Sequence, residues 1–310
     1  MAPAKKIALL GTGLMGAPMA RRLLGAGFDL TVWNRTEAKA RMLEAAGAKV
    51  AEKPAHAAEG ADVVITMLEK GSVVADVVFK RGVAKAMQPG STLIDMSSIP
   101  PSTARAHAEK LAEMEIVAID APVSGGTVGA EQGTLAIMAG GDAGKVLELQ
   151  SVFDAMGRVT HVGPPGSGQL SKLANQAIVA ITIGAVAEGL LLAAAGGANP
   201  ASVRNAIRGG FAESRILDLH GARMIARDFV PGGMSRIHLK DLDTILTEAR
   251  ALGLDLPLVR SVRERFAMMC NAGLGDTDHS ALLLELEQRN APHRVGDGEN
   301  KMPGMQGNET

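Results

Sequence analysis

Short apolar runs alternate with longer segments of helical period in the first half of the chain. Such runs are typical of buried β-strands, and apolar residues that recur every three or four positions are typical of helices that cover a sheet. The predicted strands are KIALL (6–10), DLTVW (29–33), DVVITM (62–67), STLID (91–95), IVAID (116–120) and TLAIMAG (134–140). The predicted helices between them include residues 14–26, 36–46 and 103–114. This alternation predicts an α/β domain with a mainly parallel, doubly wound sheet.

The pattern changes near residue 163, where the Pro/Gly stretch GPPGSG (163–168) is typical of a hinge. Beyond it the apolar period is helical, over residues 169–196, about 200–208, about 213–227, 238–252, about 257–272 and 278–290. We therefore expect an α/β domain over 1–163 and an all-helical domain over 164–290, joined through a long helix. Residues 291–310 are polar, rich in glycine and without an apolar period, which predicts a disordered tail.

The most apolar segment, AIVAITIGAVAEGLLLAAAGGA (177–198), is long enough to span a bilayer. It is rich in Ala and Gly, however, and it carries Glu188 near its middle, where a charge is costly in lipid. We therefore interpret it as a helix buried in protein on most sides. A helix this apolar has more apolar surface than one domain would cover, which favours a homo-oligomer. We expect no membrane partner.

The composition narrows the class of protein. A hydrophobic fraction of 46% and a charged fraction of 21% are typical of soluble globular chains, and a net charge of −1 argues against nucleic acid or an anionic membrane as a partner. Cys270 is the only cysteine, so neither an intrachain disulfide nor a cysteine-based metal cluster can form. The first glycine comes too early for a signal peptide, and we expect a cytoplasmic protein.

A glycine-rich stretch, GTGLMG (11–16), follows the first predicted strand and opens the first predicted helix. In this context Gly11 permits a tight turn, Gly13 lets the backbone approach a pyrophosphate, and Gly16 allows the helix to pack closely on the strand. The amides at the helix start would hold the negative charge. The other candidate cofactor contacts of this stretch are Thr12, Leu14 and Met15. The pattern predicts a Rossmann-type dinucleotide site; the alternative is a plain turn.

The end of the second strand indicates which dinucleotide binds. An acidic residue there would bind the ribose 2′-hydroxyl of NAD, but the sequence reads Asn34-Arg35-Thr36. An arginine suits the 2′-phosphate of NADP, with Asn34 and Thr36 as supporting donors. We expect a preference for NADP, with NAD possible; the alternative is that Arg35 merely lies along the surface.

The carboxyl ends of the next two predicted strands should also face the cofactor, because ligands of parallel α/β sheets bind at that edge. Further candidate contacts with the nicotinamide half are Met67, Leu68, Glu69, Val73, Ser97 and Ser98.

The stretch SKLANQ (171–176) carries the candidate reacting group. Lys172, Asn175 and Gln176 are spaced i, i+3 and i+4, so they share one face of an otherwise apolar helix. A second cation, Lys240, stands in HLKD (238–241); its approach to Lys172 would lower the pKa of Lys172. A lysine of this kind can donate a proton to a carbonyl oxygen. The alternative is that Lys172 only solvates the start of the helix.

The turn DAPVSGG (120–126) follows a predicted strand at the carboxyl edge of the sheet. Ser124 offers a hydroxyl, and Gly125 and Gly126 expose backbone N–H groups, so the turn can bind a carboxylate. The alternative is an ordinary glycine-rich turn.

A metal site is not favoured by the sequence. The seven histidines are scattered without a metal-binding motif, and His238 and His279 are weak candidates for chemistry. GDTDHS (275–280) contains two aspartates and a histidine, but Thr277 or Asp278 is better explained as the cap of the final helix.

These motifs in this order resemble the β-hydroxyacid dehydrogenase family. The matching stretches are GTGLMGAPMA, DAPVSGG, GQLSKLANQ and HLKDL, within residues 5 to about 290. The resemblance implies that Lys172 is catalytic, that Ser124, Gly125 and Gly126 bind substrate, and that Lys240 borders both nicotinamide and substrate. It also implies that Asn175 and Gln176 position substrate or lysine in a cleft between the domains, and that the protein is a homodimer or homotetramer.

Within the family, Gln176 replaces an asparagine that many members carry. That difference, IRGGFAES (207–214) and DHSAL (278–282) are similar to the subgroup that reduces tartronate semialdehyde (2-hydroxy-3-oxopropanoate) to glycerate. VWNRT is closer to NADPH-linked semialdehyde and glyoxylate reductases, and Glu69 stands where many members have proline. The alternative substrates are those of 3-hydroxyisobutyrate, 4-hydroxybutyrate, succinic semialdehyde or L-threonate enzymes. A non-catalytic dinucleotide sensor would be expected to lack Lys172.

Overall fold

A computed structural model of the chain describes residues 5–304. These residues divide into two compact units, the first ending at Lys172 and the second beginning at Leu173. Nine strands of the first unit form one sheet: β1 (Lys6–Leu10), β2 (Asp29–Trp33), β3 (Lys49–Val50), β4 (Val63–Thr66), β5 (Thr92–Asp95), β6 (Val117–Asp120), β7 (Val123–Ser124), β8 (Leu135–Gly140) and β9 (Gly157–Gly163). Their order is β3-β2-β1-β4-β5-β6-β8-β7, with β9 beside β8. The six strands from β3 to β6 pair in parallel, whereas β8 is antiparallel to β6.

Alternate residues of β1 enter two separate hydrophobic cores. Ile7 and Leu9 belong to one core, whereas Ala8 and Leu10 belong to another, and all four are buried. Because successive side chains of a strand point to opposite faces, both faces of the sheet are covered, as predicted for a doubly wound fold. The helices of this unit are α1 (Gly16–Gly25), α2 (Glu37–Arg41), α3 (Pro54–Ala58), α4 (Gly71–Ala75), α5 (Val83–Ala86), α6 (Pro101–Ala112), α7 (Gly126–Gln132), α8 (Ala143–Glu148) and α9 (Gln150–Asp154).

Up to residue 290 the second unit is built from helices and their connections, as predicted. Its helices are the greater part of α10 (Ser167–Ala195), then α11 (Pro200–Ile207), α12 (Arg215–Ala226), α13 (Ser235–Ala251), α14 (Pro257–Met269) and α15 (Leu282–Arg289). They enclose one hydrophobic core, which includes Ile183 of α10, Met224 of α12, Leu242 of α13 and Phe266 of α14.

The contact-based division falls inside α10, between Lys172 and Leu173. The sequence placed the boundary earlier, at residues 163–164. The difference has a physical cause: the first turn of α10 is hydrogen-bonded to Asp120 and to the loop after β5, so it belongs with the sheet.

Helix α10 is long and apolar enough to cross a membrane by length and composition, yet only 28% of its most apolar 18-residue stretch is buried. The sequence predicted a helix buried in protein on most sides. Within this chain it is not, and Ile178 and Leu192 are 66% and 77% exposed.

Residues 291–304 do not form the disordered tail that the sequence predicted. Val295 is fully buried, and its carbonyl accepts a hydrogen bond of 2.7 Å from Nη1 of Arg227. Lys301 forms main-chain hydrogen bonds with Arg227 and Phe229, both at 2.9 Å. This segment is held by polar contacts to its backbone and by one buried valine, which leaves no apolar period in the sequence. The rest of the predicted tail, 305–310, lies outside the described residues.

Candidate active site

The glycine loop between β1 and α1 is built so closely that larger residues are excluded. The Gly11 N–H donates to the carbonyl of Trp33 at 2.8 Å, its φ is +107°, and a Cβ there would lie 2.3 Å from the Met67 carbonyl oxygen. A Cβ at Gly16 would lie 1.9 Å from the Gly11 carbonyl oxygen. At Gly13, by contrast, no heavy atom of the described residues lies within 4 Å of that position. The loop therefore leaves its backbone open where a pyrophosphate would approach.

The other residues of this loop have distinct surroundings. The N–H of buried Thr12 donates to Oδ1 of Asn34 at 3.1 Å, and Nδ2 of Asn34 donates to the Thr36 carbonyl at 2.9 Å. Asn34 thus holds the loop against the end of β2 instead of pointing its amide at a ligand. Leu14 is 80% exposed, and Met15 packs partly against the core. No side chain of the described residues caps α1, so its first amides can face an anion.

A cavity of about 400 Å³ lies beside the glycine loop and the ends of β2 and β4. Nine of its lining residues were predicted from the sequence as cofactor contacts: Gly11, Gly13, Asn34, Arg35, Thr36, Met67, Leu68, Glu69 and Val73. Six were not: Trp33, Lys39, Ser72, Asp76, Val77 and Arg81. Lys39 follows Arg35 by four positions at the start of α2, and that spacing was a usable signal. Arg81 pairs with Asp76 at 2.7 Å and belongs to no motif.

Ser97 joins the ends of two strands. Its Oγ accepts the N–H of Leu68 at 2.9 Å, and its own N–H donates to Oδ1 of Asp95 at 3.0 Å. Burial raises the pKa of Asp95, which also accepts from the Thr66 hydroxyl at 2.8 Å. The structure therefore gives fully buried Ser97 a role in holding Leu68, and it places half-buried Ser98 next to it. Neither serine lines the cavity.

The predicted carboxylate-binding turn follows β6 at the carboxyl edge of the sheet. Ser124 ends the short strand β7 and is half-buried, while Gly125 and Gly126 are exposed. A Cβ at Gly126 would meet no heavy atom within 4 Å among residues 5–304, so its backbone is accessible. The turn is thus open to a small ligand.

In the second unit, Asn175 and Gln176 form a hydrogen-bonded chain to a buried carboxylate. Nδ2 of Asn175 donates to Oε1 of Gln176 at 2.9 Å, and Nε2 of Gln176 donates to Oδ2 of Asp241 at 2.7 Å. Nζ of Lys240, 45% exposed, lies 3.2 Å from Oδ1 of Asp241. Gln176 and Lys240 therefore both contact Asp241, and Asn175 is linked to it through Gln176. Asp241 was not predicted as a site residue, although it directly follows Lys240 in HLKD. Lys172 precedes Asn175 by about one turn of α10 and is half-buried.

A histidine cluster lies elsewhere in the second unit. Possible ligand atoms of His220, Asp278 and His279 all lie within 4.8 Å of one another, so the donor set could hold a metal ion, which the sequence did not favour. Asp278 caps the turn that leads into α15, as predicted, by accepting from the N–H and the hydroxyl of Ser280 at 3.0 and 2.6 Å.

The rings of this cluster form a chain that ends on Asp278. His279 contacts His238 through Nδ1 and His220 through Nε2, both at 3.2 Å, and Nδ1 of His220 lies 3.5 Å from Asp278. Nδ1 of His220 is buried and makes no hydrogen bond within the described residues, so its contact with Asp278 is electrostatic. Burial lowers the pKa of His279 to about 3, so its ring is neutral.

Comparisons with known proteins cover most of the chain. Residues 6–163 match the family model described as the NAD binding domain of 6-phosphogluconate dehydrogenase, and residues 166–286 match that described as NAD-binding of NADP-dependent 3-hydroxyisobutyrate dehydrogenase. The chain is 42% identical to 2-hydroxy-3-oxopropionate reductase of Escherichia coli (strain K12), over 91% of this chain and 97% of that protein. It is 33% identical to NAD-dependent L-serine dehydrogenase of Pseudomonas aeruginosa, over 90% of this chain and 96% of that protein.

Among solved structures, that of Mycobacterium tuberculosis 3-hydroxyisobutyrate dehydrogenase with L-serine is similar, with a TM-score of 0.85 and 31% identity, covering 91% of this chain and 99% of that one. The glycine loop, the cavity beside it and these matches define an NAD(P)-dependent oxidoreductase. More particularly, the chain belongs to the β-hydroxyacid dehydrogenase family, which confirms the resemblance drawn from its motifs.

Proposed function

We propose that the protein reduces tartronate semialdehyde (2-hydroxy-3-oxopropanoate) to glycerate with NADPH. The observation that carries this proposal is the 42% identity, over 91% of the chain, to the Escherichia coli 2-hydroxy-3-oxopropionate reductase. Gln176 supports the same subgroup through the resemblance of its motif, and its amide donates to Asp241 at 2.7 Å.

Lys172 is the proton donor in this proposal. The reduced nicotinamide, when bound, supplies a hydride to the aldehyde carbon. The ammonium of Lys172 donates a proton to the carbonyl oxygen, which becomes the new hydroxyl. Its place in the motif GQLSKLANQ supports this role, and so does a helix start that is fixed by buried hydrogen bonds through Gln169.

The substrate carboxylate is assigned to the turn after β6. Ser124 offers its hydroxyl, and the exposed backbone of Gly125 and Gly126 offers N–H groups. Asn175 and Gln176, ordered by Asp241, hold the substrate hydroxyl, and Lys240 adds a positive charge that suits an anionic substrate.

A preference for NADPH follows from the cationic residues of the cavity. Arg35 and Lys39 are exposed in its lining, and an acidic residue is missing from the position that would bind a ribose 2′-hydroxyl, which Asn34 fills instead. A 2′-phosphate carries the charge that these two side chains complement.

The decisive experiment is a spectrophotometric panel of small semialdehydes and hydroxyacids with both NADPH and NADH. We expect the highest kcat/KM for tartronate semialdehyde with NADPH. A higher kcat/KM for succinic semialdehyde, glyoxylate, 4-hydroxybutyrate or L-threonate would refute the assignment of tartronate semialdehyde as the substrate. A clear preference for NADH would refute the cofactor assignment. Binding of NADPH without turnover of any member would indicate a sensor.

A second candidate is oxidation of 3-hydroxyisobutyrate or L-serine. The observation that favours it is the similarity to the Mycobacterium tuberculosis 3-hydroxyisobutyrate dehydrogenase that was solved with L-serine, at a TM-score of 0.85. The same panel, run in the oxidative direction with NADP and NAD, separates the two.

We also propose that the protein is cytoplasmic and self-associates through α10. Ile178 and Leu192 are fourteen positions apart, which brings both to the same side of the helix, and both are largely exposed. Light scattering after size-exclusion chromatography should give a dimer or tetramer for the wild type. Leu192→Arg should dissociate it, whereas Leu147→Arg, at another exposed leucine, should not.

A further inference from the structure

The start of α10 is capped by a carboxylate from another element. Asp120, the last residue of β6, is only 6% exposed. Its Oδ1 accepts the N–H of Gly166 at 2.7 Å, and its Oδ2 accepts the N–H of Gln169 at 2.8 Å. The first amides of a helix have no partner within the helix, so this carboxylate supplies two acceptors and a favourable negative charge.

Gln169 fastens the same turn to the loop after β5. Its Nε2 donates to the Ser97 carbonyl at 2.8 Å, and its Oε1 accepts the Ile99 N–H at 3.1 Å. The side chain is buried, and Ser97 in turn holds the N–H of Leu68, which lines the cavity. A continuous set of hydrogen bonds therefore leads from the wall of the cavity to the first turn of α10.

The backbone of this turn lies directly against the sheet. A Cβ at Gly168 would lie 2.3 Å from the Asp120 carbonyl oxygen and 2.4 Å from that of Met138. A Cβ at Gly140 would lie 2.6 Å from Oδ1 of Asp120. The contact leaves no room for a side chain at either glycine, so the turn cannot shift toward the sheet.

We propose that Asp120 and Gln169 are positioning residues for Lys172, which makes them part of the catalytic apparatus without touching substrate. Lys172 follows Gln169 by three positions, so it lies on the next turn of the same face of α10. Any change in the axis of the first turn moves the ammonium, and a displacement of about 1 Å can cost about 100-fold in rate. This inference rests on the proposed function, in which Lys172 donates the proton.

The ionisation of Asp120 gives the proposal a signature that packing alone lacks. Burial raises the pKa of Asp120 to about 6, and the N–H groups of Gly166 and Gln169 oppose that shift. The other titratable groups around it are Asp95 of β5 and His107 of α6, which line the same cavity of about 20 Å³. Arg105 of α6 packs beside Gly166. Protonation of Asp120 removes one acceptor and the charge at the helix start, so kcat should fall as the pH drops through 6.

The test compares Asp120→Asn with Asp142→Asn. Asp142 caps α8 by accepting the Lys145 N–H at 2.7 Å, and it is exposed, so its substitution removes a similar charge from a helix start away from the site. We expect Asp120→Asn to lower kcat about 10- to 100-fold, with the Kd of NADPH within about twofold by fluorescence titration. The acid limb of the kcat profile near pH 6 should disappear. Asp142→Asn should keep both kcat and the limb.

Gln169→Met provides an independent variant, since it keeps the side-chain volume and removes both amide contacts. It should lower kcat with unchanged NADPH affinity and keep the acid limb, because Asp120 is intact. It carries the test alone if Asp120→Asn does not fold. Wild-type kcat in either folded variant overturns the proposal. So does an acid limb that persists in Asp120→Asn and vanishes in Asp95→Asn.

Failure of this inference can be told from failure of the proposed function. If Lys172→Ala retains turnover, the proposed function fails, whatever Asp120 does. If Lys172→Ala is inactive while Asp120→Asn and Gln169→Met turn over like the wild type, only the positioning role is refuted.

Discussion

Gln176 and Asp241 are joined by a hydrogen bond of 2.7 Å between the side-chain amide of one and the buried carboxylate of the other. Asp241 also contacts Nζ of Lys240 at 3.2 Å, and Gln176 also accepts from Asn175. This carboxylate therefore contacts two residues that the sequence assigned to substrate and holds a third, Asn175, through Gln176. At position 176 the glutamine amide lies within hydrogen-bond distance of Asp241.

Shortening this side chain should weaken the site. Gln176→Asn withdraws the amide from Asp241, and a hydrogen bond to a charged group is worth about 1.5–3 kcal/mol. We expect kcat/KM for the preferred semialdehyde to fall about tenfold or more, with the Kd of NADPH unchanged. Gln176→Glu should lower kcat/KM further, because it places a second carboxylate against that of Asp241. Steady-state kinetics decides, and an unaltered kcat/KM in Gln176→Asn would show that the exchange is neutral.

Replacing Lys172 should abolish proton transfer while leaving cofactor binding intact. We expect Lys172→Ala to lower kcat by about 10²–10⁴-fold, the usual contribution of a general acid. Lys172→Arg keeps the charge but cannot release a proton near neutral pH, so it should be nearly as slow. NADPH binding by fluorescence should match the wild type in both variants, and near-normal turnover in either would refute the role.

Arg35→Ala tests the cofactor preference. If the guanidinium contacts the 2′-phosphate, its loss should raise the KM for NADPH about 10- to 100-fold, as expected for a hydrogen bond between charged groups. The KM for NADH should hardly change, since NADH has no such phosphate. Arg21→Ala, on an exposed position of α1 that does not line the cavity, is the matched control. Equal effects on both cofactors would contradict the assignment.

Arg227 should dominate the stability of the segment after α15. Its guanidinium forms two hydrogen bonds to buried Glu287, at 2.9 and 2.8 Å, and one to Asn300 at 2.6 Å. Arg227→Met leaves Glu287 buried without its partner, which should lower the free energy of unfolding by about 3–5 kcal/mol. Arg236→Met breaks an exposed pair with Asp276 and should cost about 0–1 kcal/mol. Urea unfolding measures both, and equal costs would refute the special role of Arg227.

Stability should depend on the neutral state of His279. Its pKa is about 3 in the folded protein against 6.5 in the unfolded chain, so the unfolded chain binds more protons between these values. The His279 imidazole therefore lowers the free energy of unfolding as the pH falls from 6.5 toward 3, by at most about 1.4 kcal/mol per pH unit.

Asp120 acts in the opposite sense, since its folded pKa of about 6 lies above the usual 3.8 and its contribution to stability falls as the pH rises through that range. We therefore compare the free energy of unfolding of the wild type with that of His279→Gln, measured by urea unfolding at each pH. The contribution of Asp120 cancels in this difference. That difference should shrink as the pH is lowered from 7 to 4; a constant difference would contradict the neutral ring.

Local patterns predicted the parts of the structure that depend on local chemistry. KIALL and DLTVW form β1 and β2 at the predicted bounds, and the three glycines of the loop have the predicted surroundings. Strand β9 was missed because most of its residues are exposed or half-buried and give no buried run. Arg81 reaches the cavity through the fold and not through a motif. The order in residues 291–304 depends on Arg227, far away in sequence.

Lys172 and Asn175 lie in one uninterrupted helix, α10. The number of residues between them therefore fixes the relative direction of their side chains, just as the residue types fix their chemistry. Each residue of a helix advances the side chains by about 100° and 1.5 Å. A single-residue insertion after Leu173 would leave every motif letter present and still turn Asn175 and Gln176 away from the direction of Lys172. A substitution in this stretch can therefore alter the chemistry of the polar face without moving it, whereas an insertion or deletion moves one part of the face relative to the other.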